Sequence, residues 1–415
     1  MVKIKAAVCH EFGAPLQIET INLREPVSGE VEITLGAVAV CHSDISFADG
    51  DWGGDLPAVY GHEAAGIVSK IGNAVKGFEI GDRVVVTLIK SCGNCNNCLE
   101  GNPTICEANN NSMTPILSSK GNNIQQAMNC GAFAEKVVVD QSQIVKLNSD
   151  LNFATASLLA CGVITGIGAV VNAAKLRPGQ DVVVIGAGGV GLNAIQGAKI
   201  AGARRIVAVD TKKEKLVTAE EFGATNSILA TEKSPWRVSK SLIGRGADVV
   251  FVTVGNSAVY DVAPRYLGYG GKVVMVGMPK TGDKSTYEPV MMAAVSQGMI
   301  GSKMGDVIIK RDIPWIVDLY NQGRIKLDQL ISKTWDLEQI NEAIADTKLG
   351  SAKRNVVVFV VQLPFVFGTL DVVRPKGVIT HVIKSIVDSV GKTDNVVCFR
   401  GTGVFESKLK YAVHW

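Results

Sequence analysis

The chain has 415 residues, room for about two or three domains, and 47% of them are apolar against 20% charged. That balance excludes global disorder. Lys and Arg number 42 against 39 Asp and Glu, so a net charge of +3 supplies neither a basic field for nucleic acid nor a polybasic membrane patch.

The opening residues, MVKIKAAVCHEFGAPLQIET, contain no long apolar stretch. No secretory signal is therefore expected, and a cytoplasmic location is. Through about residue 150 the chain reads as short strands, among them residues 31–39, 65–71 and 83–89. Gly29, Gly72-Asn73 and Gly81-Asp82 punctuate them. Between these runs lie Cys41-His42-Ser43-Asp44 and Gly61-His62-Glu63. Four of the nine cysteines, Cys92, Cys95, Cys98 and Cys106, fall within fifteen residues. That spacing lets one loop wrap a tetrahedral ion, a closed structural zinc site. An Fe–S cluster and unrelated buried cysteines are the alternatives. An odd cysteine count, low for this length, suits a reducing compartment better than a disulfide scaffold. Residues 109–120 read as a flexible loop.

After Leu158 the pattern changes. Cys161, in LLACGVITG, is a small core residue or, with Cys41 and His62, one of three ligands of a catalytic zinc with an open position. Two thiolates would cancel the charge of such an ion, which acidifies a bound hydroxyl. Residues 182–185 form an apolar strand running into Gly186-x-Gly188-x-x-Gly191 and a helix through Ile200, with a stop at Gly202. Gly186 suits a tight turn, Gly188 a close approach of pyrophosphate, and Gly191 close helix packing. The helix N-terminus offers free N–H groups to phosphate. The next strand, residues 206–209, ends at Asp210, whose carboxylate can accept from a ribose diol and repel a 2′-phosphate, favouring NAD over NADP. Lys212, Lys213 and Lys215 read as a solvated face of a helix over residues 213–222, which Gly223 closes. Strands at 249–254 and 272–276 complete an alternation that implies a parallel sheet covered by helices on both faces. Helices at 315–321 and 337–347 and a strand at 355–360 follow. No run is long and apolar enough for a membrane span; the nearest, residues 356–370, is interrupted by Gln362 and Pro364.

Taken together, these motifs resemble the zinc-dependent medium-chain alcohol dehydrogenases. The run Gly61-His62-Glu63-Ala64-Ala65-Gly66 with Gly72 and Val75 matches that family's zinc signature. The Cys92–Cys106 lobe, Cys161 and the glycine turn stand in the family's order. The resemblance spans residues 1–359. It implies Cys41, His62 and Cys161 as catalytic zinc ligands, Glu63 behind the metal as an exchanging ligand, and Asp44 orienting His62. Ser43 stands at the proton-relay hydroxyl. His42 and Arg354 would meet the pyrophosphate, and Lys215 the adenosine ribose. Thr165, Val190, Val254, Val276 and Met278 would complete the cofactor contacts, the last three through backbone against the nicotinamide. Trp52, Leu88 and Met128 stand at substrate-pocket positions. Ser46 replaces the outer proton-accepting His that many members carry, which hands the last proton step to water.

The expected fold is α/β: a GroES-like, β-rich catalytic domain over 1–162 and 304–359, with a Rossmann domain, a doubly wound parallel sheet, inserted at 163–303. The expected function is NAD-dependent oxidation of a small alcohol, or reduction of the aldehyde, with one catalytic and one structural zinc per chain in a homodimer or homotetramer. The rivals are a dehydrogenase of a thiol–formaldehyde adduct and a non-catalytic NAD- or zinc-binding protein. Residues 360–415 have no counterpart in the family and are expected to be dispensable.

Overall fold

Strands rich in Val and Ile, with no polar alternation, form a six-stranded parallel sheet because both of its faces are covered. In this computed structural model, which describes residues 1–108 and 114–360, the sheet order is Asn226–Leu229, Arg205–Asp210, Asp181–Ile185, Ala247–Val252, Leu267–Met275, Gly298–Gly301. Every pairing is parallel. Alternate residues serve opposite cores. Val182, Val184, Ala208, Val249 and Phe251 pack on one side. Val183, Ile185, Val207, Val209 and Val250 pack on the other. The strand order reverses between Asp181–Ile185 and Ala247–Val252, the crevice where doubly wound sheets bind ligands.

The earlier residues form a closed barrel of Val2–Cys9, Gln17–Leu23, Ile116–Leu117, Asn123–Gln126 and Ala58–Val59. A second sheet runs Ile144–Lys146, Arg83–Val86, Glu63–Ile71, Glu30–Val40, Arg354–Val358, Ile331–Trp335, with Lys136–Asp140 also on Glu30–Val40. Arg354–Val358 pairs antiparallel with Glu30–Val40, Val356 opposite Ala39, so the chain returns to its first sheet after building the parallel one. The core on one face of the parallel sheet also contains Ala37, Ala39, Cys41 and Cys161. Cys41 and Cys161 therefore stand where the two halves share a core.

Several expectations shift. The β-rich region contains a helix, His42–Ala48, and a strand expected to reach residue 89 ends at Val86. The helix expected at 315–321 starts earlier, as Ile309–Asn321, and accommodates Pro314 in its second turn. The expected helix at 337–347 is a 3₁₀ turn, Leu337–Gln339, followed by Ile340–Leu349. Of the expected loop at 109–120, residues 109–113 lie outside the described residues, and Ile116–Leu117 is a barrel strand. All but the first residue of the 360–415 extension also lies outside them. Among the described residues no helix is long and apolar enough to cross a membrane.

Candidate active site and metal centres

Cys41 caps the helix His42–Ala48. Its backbone N–H donates to Asp44 Oδ2 at 3.1 Å, and Asp44 lies in the first turn, where a carboxylate favours the helix dipole. The same carboxylate reaches across to the neighbouring strand. Asp44 Oδ1 lies 2.9 Å from His62 Nδ1 and accepts the Gly61 N–H at 2.9 Å. Gly61 holds φ +92°, and a Cβ there would come within 2.6 Å of Phe133 N, so only glycine makes this turn into His62. His62 is thereby fixed on one nitrogen, while its Nε2 is buried with no hydrogen-bond partner. A fully buried imidazole nitrogen left unpaired is costly and marks a place where something else binds.

Cys41, His62, Glu63 and Cys161 supply the surroundings of that nitrogen. Their ligand atoms all lie within 4.8 Å of one another, and all four residues are buried. Contact with the Cys161 sulfur pulls the Cys41 thiol well below its ordinary range, and contact with Cys41 pushes Cys161 up. Burial opposes charge on His62, but Asp44 and Cys41 outweigh it and hold its pKa well above the usual imidazole range. Burial pushes Glu63 up to about 7 against the pull of Arg354. Arg354 donates to Glu63 Oε2, while Oε1 is unpartnered. Two thiols, an orphaned imidazole nitrogen and a carboxylate oxygen converging in a buried space fit a divalent zinc ion.

The second set is local. Cys92, Cys95, Cys98 and Cys106 also place their sulfurs within 4.8 Å of one another, with Cys92 exposed. Backbone N–H groups point at the sulfurs: Cys92 N to Cys106 Sγ at 3.3 Å, Asn94 N and Cys95 N to Cys92 Sγ at 3.4 and 3.3 Å. Backbone donors from Glu107 and Cys98 hold the Cys95 thiol down to about 6. Such donors stabilise thiolates, the form that binds metal.

The glycine turn lies at the crevice. Gly186 has φ +99°, and a Cβ on Gly191 would sit 1.8 Å from Gly186 O, so helix and strand touch there. A Cβ on Gly188 would meet nothing within 4 Å, leaving open space beside the start of the Gly189–Ile200 helix, the segment that carries Val190. Arg354 lies along this turn: a Cβ on Gly189 would approach its Cδ to 2.5 Å. Its stem thus lies on the glycine loop while its guanidinium pairs with Glu63, a partner the sequence did not suggest. His42 belongs to the same neighbourhood. Its side chain is exposed, yet the protein beside it takes enough water from the ring to lower its pKa, and Arg354 and Lys215 add in that direction. Asp210 accepts the Ala187 N–H at 2.8 Å and the Lys212 N–H at 3.1 Å, which aims its carboxylate at the crevice. Val254 packs on Gly186, and the Val276 N–H donates to Val252 O at 3.0 Å. Gly255 lies against Met278 O, and Met278 itself is exposed. Thr165 is buried on the Gly162–Gly168 helix, 3.9 Å from Cys161 Sγ.

Of the pocket candidates, Trp52 donates its indole N–H to Pro279 O at 2.9 Å and meets Phe47 edge-on, with ring centroids 5.1 Å apart. Asp51 beside it pairs with Lys280 at 2.7 Å. Leu88 packs against both large cores, and Met128 on the N-terminal one. Ser43 is half-buried in the first turn of the helix that begins beside Cys41.

Two family models match the chain: an alcohol dehydrogenase GroES-like domain over residues 27–149 and a zinc-binding dehydrogenase over 189–322. The chain belongs to the zinc-dependent medium-chain alcohol dehydrogenases. It is 34% identical over 367 residues to the NDMA-dependent alcohol dehydrogenase of Amycolatopsis methanolica, covering 86% of this chain and 99% of that one. It is equally 34% identical to S-(hydroxymethyl)glutathione dehydrogenase of Synechocystis sp., over 86% of this chain and all of that one. Benzyl alcohol dehydrogenase of Acinetobacter calcoaceticus superposes with a TM-score of 0.81 at 31% identity, again over 86% of this chain and all of that one. This dehydrogenase is therefore a zinc-dependent oxidoreductase of the alcohol dehydrogenase class, and its GroES-like and Rossmann-like parts make it α/β as expected.

Proposed function

We propose that this dehydrogenase oxidises a small uncharged alcohol with NAD, and reduces the aldehyde in reverse, at a zinc held by Cys41, His62 and Cys161, with a second zinc in the Cys92–Cys106 lobe. The observation that carries the reading is the buried, unpartnered His62 Nε2 facing two cysteines and Glu63. Zinc, when bound, would acidify the alcohol hydroxyl, and NAD would accept the hydride from the carbon that bears it. Asp44 orients His62, so the ring presents Nε2 and not Nδ1 to the metal. Ser43 would accept the hydroxyl proton as it gives up its own, and water would be the final acceptor because Ser46 offers no imidazole. His42 and Arg354 would hold the pyrophosphate beside the glycine loop, and Asp210 would accept hydrogen bonds from the ribose hydroxyls.

An anionic thiol carrier would need a free cation at the mouth. Lys280, next to the Pro279 carbonyl that Trp52 reaches, is paired with Asp51, and Lys348 with Asp49, which supports a simple alcohol. The reading includes a homo-oligomer. The parallel sheet ends on Gly298–Gly301. A groove of about 1200 Å³ lined by Arg265, Tyr269, Tyr287 and Met291 opens near that end, and Tyr269 is 90% exposed.

The test is metal analysis together with a panel of alcohols, aldehydes and thiol–formaldehyde adducts followed at the NADH absorbance. Two zinc ions per chain and turnover of plain alcohols are expected. Turnover only with a thiol adduct, or only with a bound nicotinamide and an added dye acceptor, would replace the reading.

A further inference from the structure

Met304 places its thioether 3.6 Å from Cys161 Sγ and 3.8 Å from Thr165 Oγ1. It reaches that position at a conformational cost. Met304 and Asp306 hold φ +55° and +49°, with Gly305 at +71° between them, so two residues with side chains stand in the left-handed region. The surroundings over-determine this turn. A Cβ on Gly305 would come within 2.4 Å of Ile164 O, Asn172 donates to Gly305 O at 3.2 Å, and Lys303 N donates to Asp306 Oδ1 at 3.2 Å. Strain held in place against a functional sulfur calls for a reason.

The chemistry of the two sulfurs provides one. A thioether has no proton to donate and is soft and polarisable. On the flank it covers, Cys161 receives no hydrogen-bond donor from Met304 and is shielded from water. A donor steadies a free thiolate but draws electron density away from its bond to a metal, and the groups around a ligand tune how tightly the ion is held. We infer that Met304 is a positioning residue: it seals one flank of Cys161 with a group that cannot donate, and so keeps metal in the buried set. The inference rests on the proposed metal reading.

The test uses the full chain loaded with cobalt. The sulfur-to-cobalt charge-transfer absorption of the buried set is identified as the part lost in Cys161→Ser. Met304→Leu, apolar and of similar length, should leave that band in place and release metal to a chelator within about twofold of the wild-type rate. Met304→Gln, which brings a donor, should shift the band to higher energy and release metal about 10- to 100-fold faster. Met304→Gly guards against misfolding as an explanation. It relieves the left-handed backbone but empties a buried side-chain site, so its Tm should fall while a single cooperative unfolding transition is kept, and water reaching Cys161 speeds metal release. Unchanged band and release rate in a folded Met304→Gly or Met304→Gln protein would overturn the inference alone. Failure of the wild type to show the Cys161-dependent band would overturn the metal reading and this inference with it.

Discussion

The two cysteine clusters use similar atoms in opposite ways. The lobe draws Cys92, Cys95, Cys98 and Cys106 from one short loop, at the surface, with backbone N–H groups of that loop serving its sulfurs. The buried set draws Cys41 from a helix cap, His62 and Glu63 from a strand start, and Cys161 from another helix cap more than a hundred residues on. Its supporting contacts come from farther still, Arg354 on Glu63 and Met304 on Cys161. A local site can form from its own loop and lend that loop stability. An assembled site exists only when both sheets are in place, and it can afford an unpaired imidazole nitrogen because the rest of the fold holds it there.

The comparison predicts different consequences for equivalent damage. Cys161→Ser should reduce turnover to background and remove one metal ion per chain, while NAD binding by fluorescence titration persists because the glycine turn is intact. Near wild-type kcat with one ion lost would break the assignment of the buried set. Ser43→Ala should lower alcohol oxidation at neutral pH by about 10²–10⁴-fold with little change in metal content, since the hydroxyl moves a proton and holds no ion. A loss below tenfold would show that water serves as well. Asp210→Ser should lower kcat/KM for NAD by roughly ten- to a hundredfold, the scale of a hydrogen bond to a charged group, and narrow the preference over NADP. Equal kcat/KM for the two cofactors in the wild type would falsify the reading of Asp210. Cys95→Ser should also cost one ion, but its main effect should be a lower Tm and protease sensitivity within residues 91–107, with kcat per folded molecule changed about twofold or less, because this cluster stabilises a loop and touches no reacting atom. The smallest effect is expected from truncation after Phe359, which leaves every named residue in place. Retained kcat, two metal ions and an unchanged oligomer by light scattering would bear this out. Insolubility would place the extension within the fold.

Legibility follows the same division between local and assembled. The lobe and the glycine turn could be read directly, because sequence spacing dictates the geometry of a tight loop: Cys92 to Cys106 can hardly fail to meet, and Gly191 has no room for a side chain beside Gly186. The continuous Val and Ile runs likewise announced a sheet covered on both faces, and alternate residues of Asp181–Ile185 do face two different cores. Cys41, His62 and Cys161 could be read from their chemistry only as one alternative, and the resemblance to a family was needed to single them out, since separation along the chain says nothing of distance in space. The helix His42–Ala48 escaped because seven residues carry too little periodicity; the Asp44 carboxylate that caps it is also the one that orients His62. Tertiary structure alone decided that Arg354 pairs with Glu63, that Trp52 is fixed by Pro279 O, and that Met304 rests on Cys161. Each of these contacts joins residues more than a hundred positions apart, and a thioether or a carbonyl oxygen carries no sequence mark of what it touches. Local chemistry is set by bonds between neighbours in the chain, whereas these contacts are set by which elements the two sheets bring together.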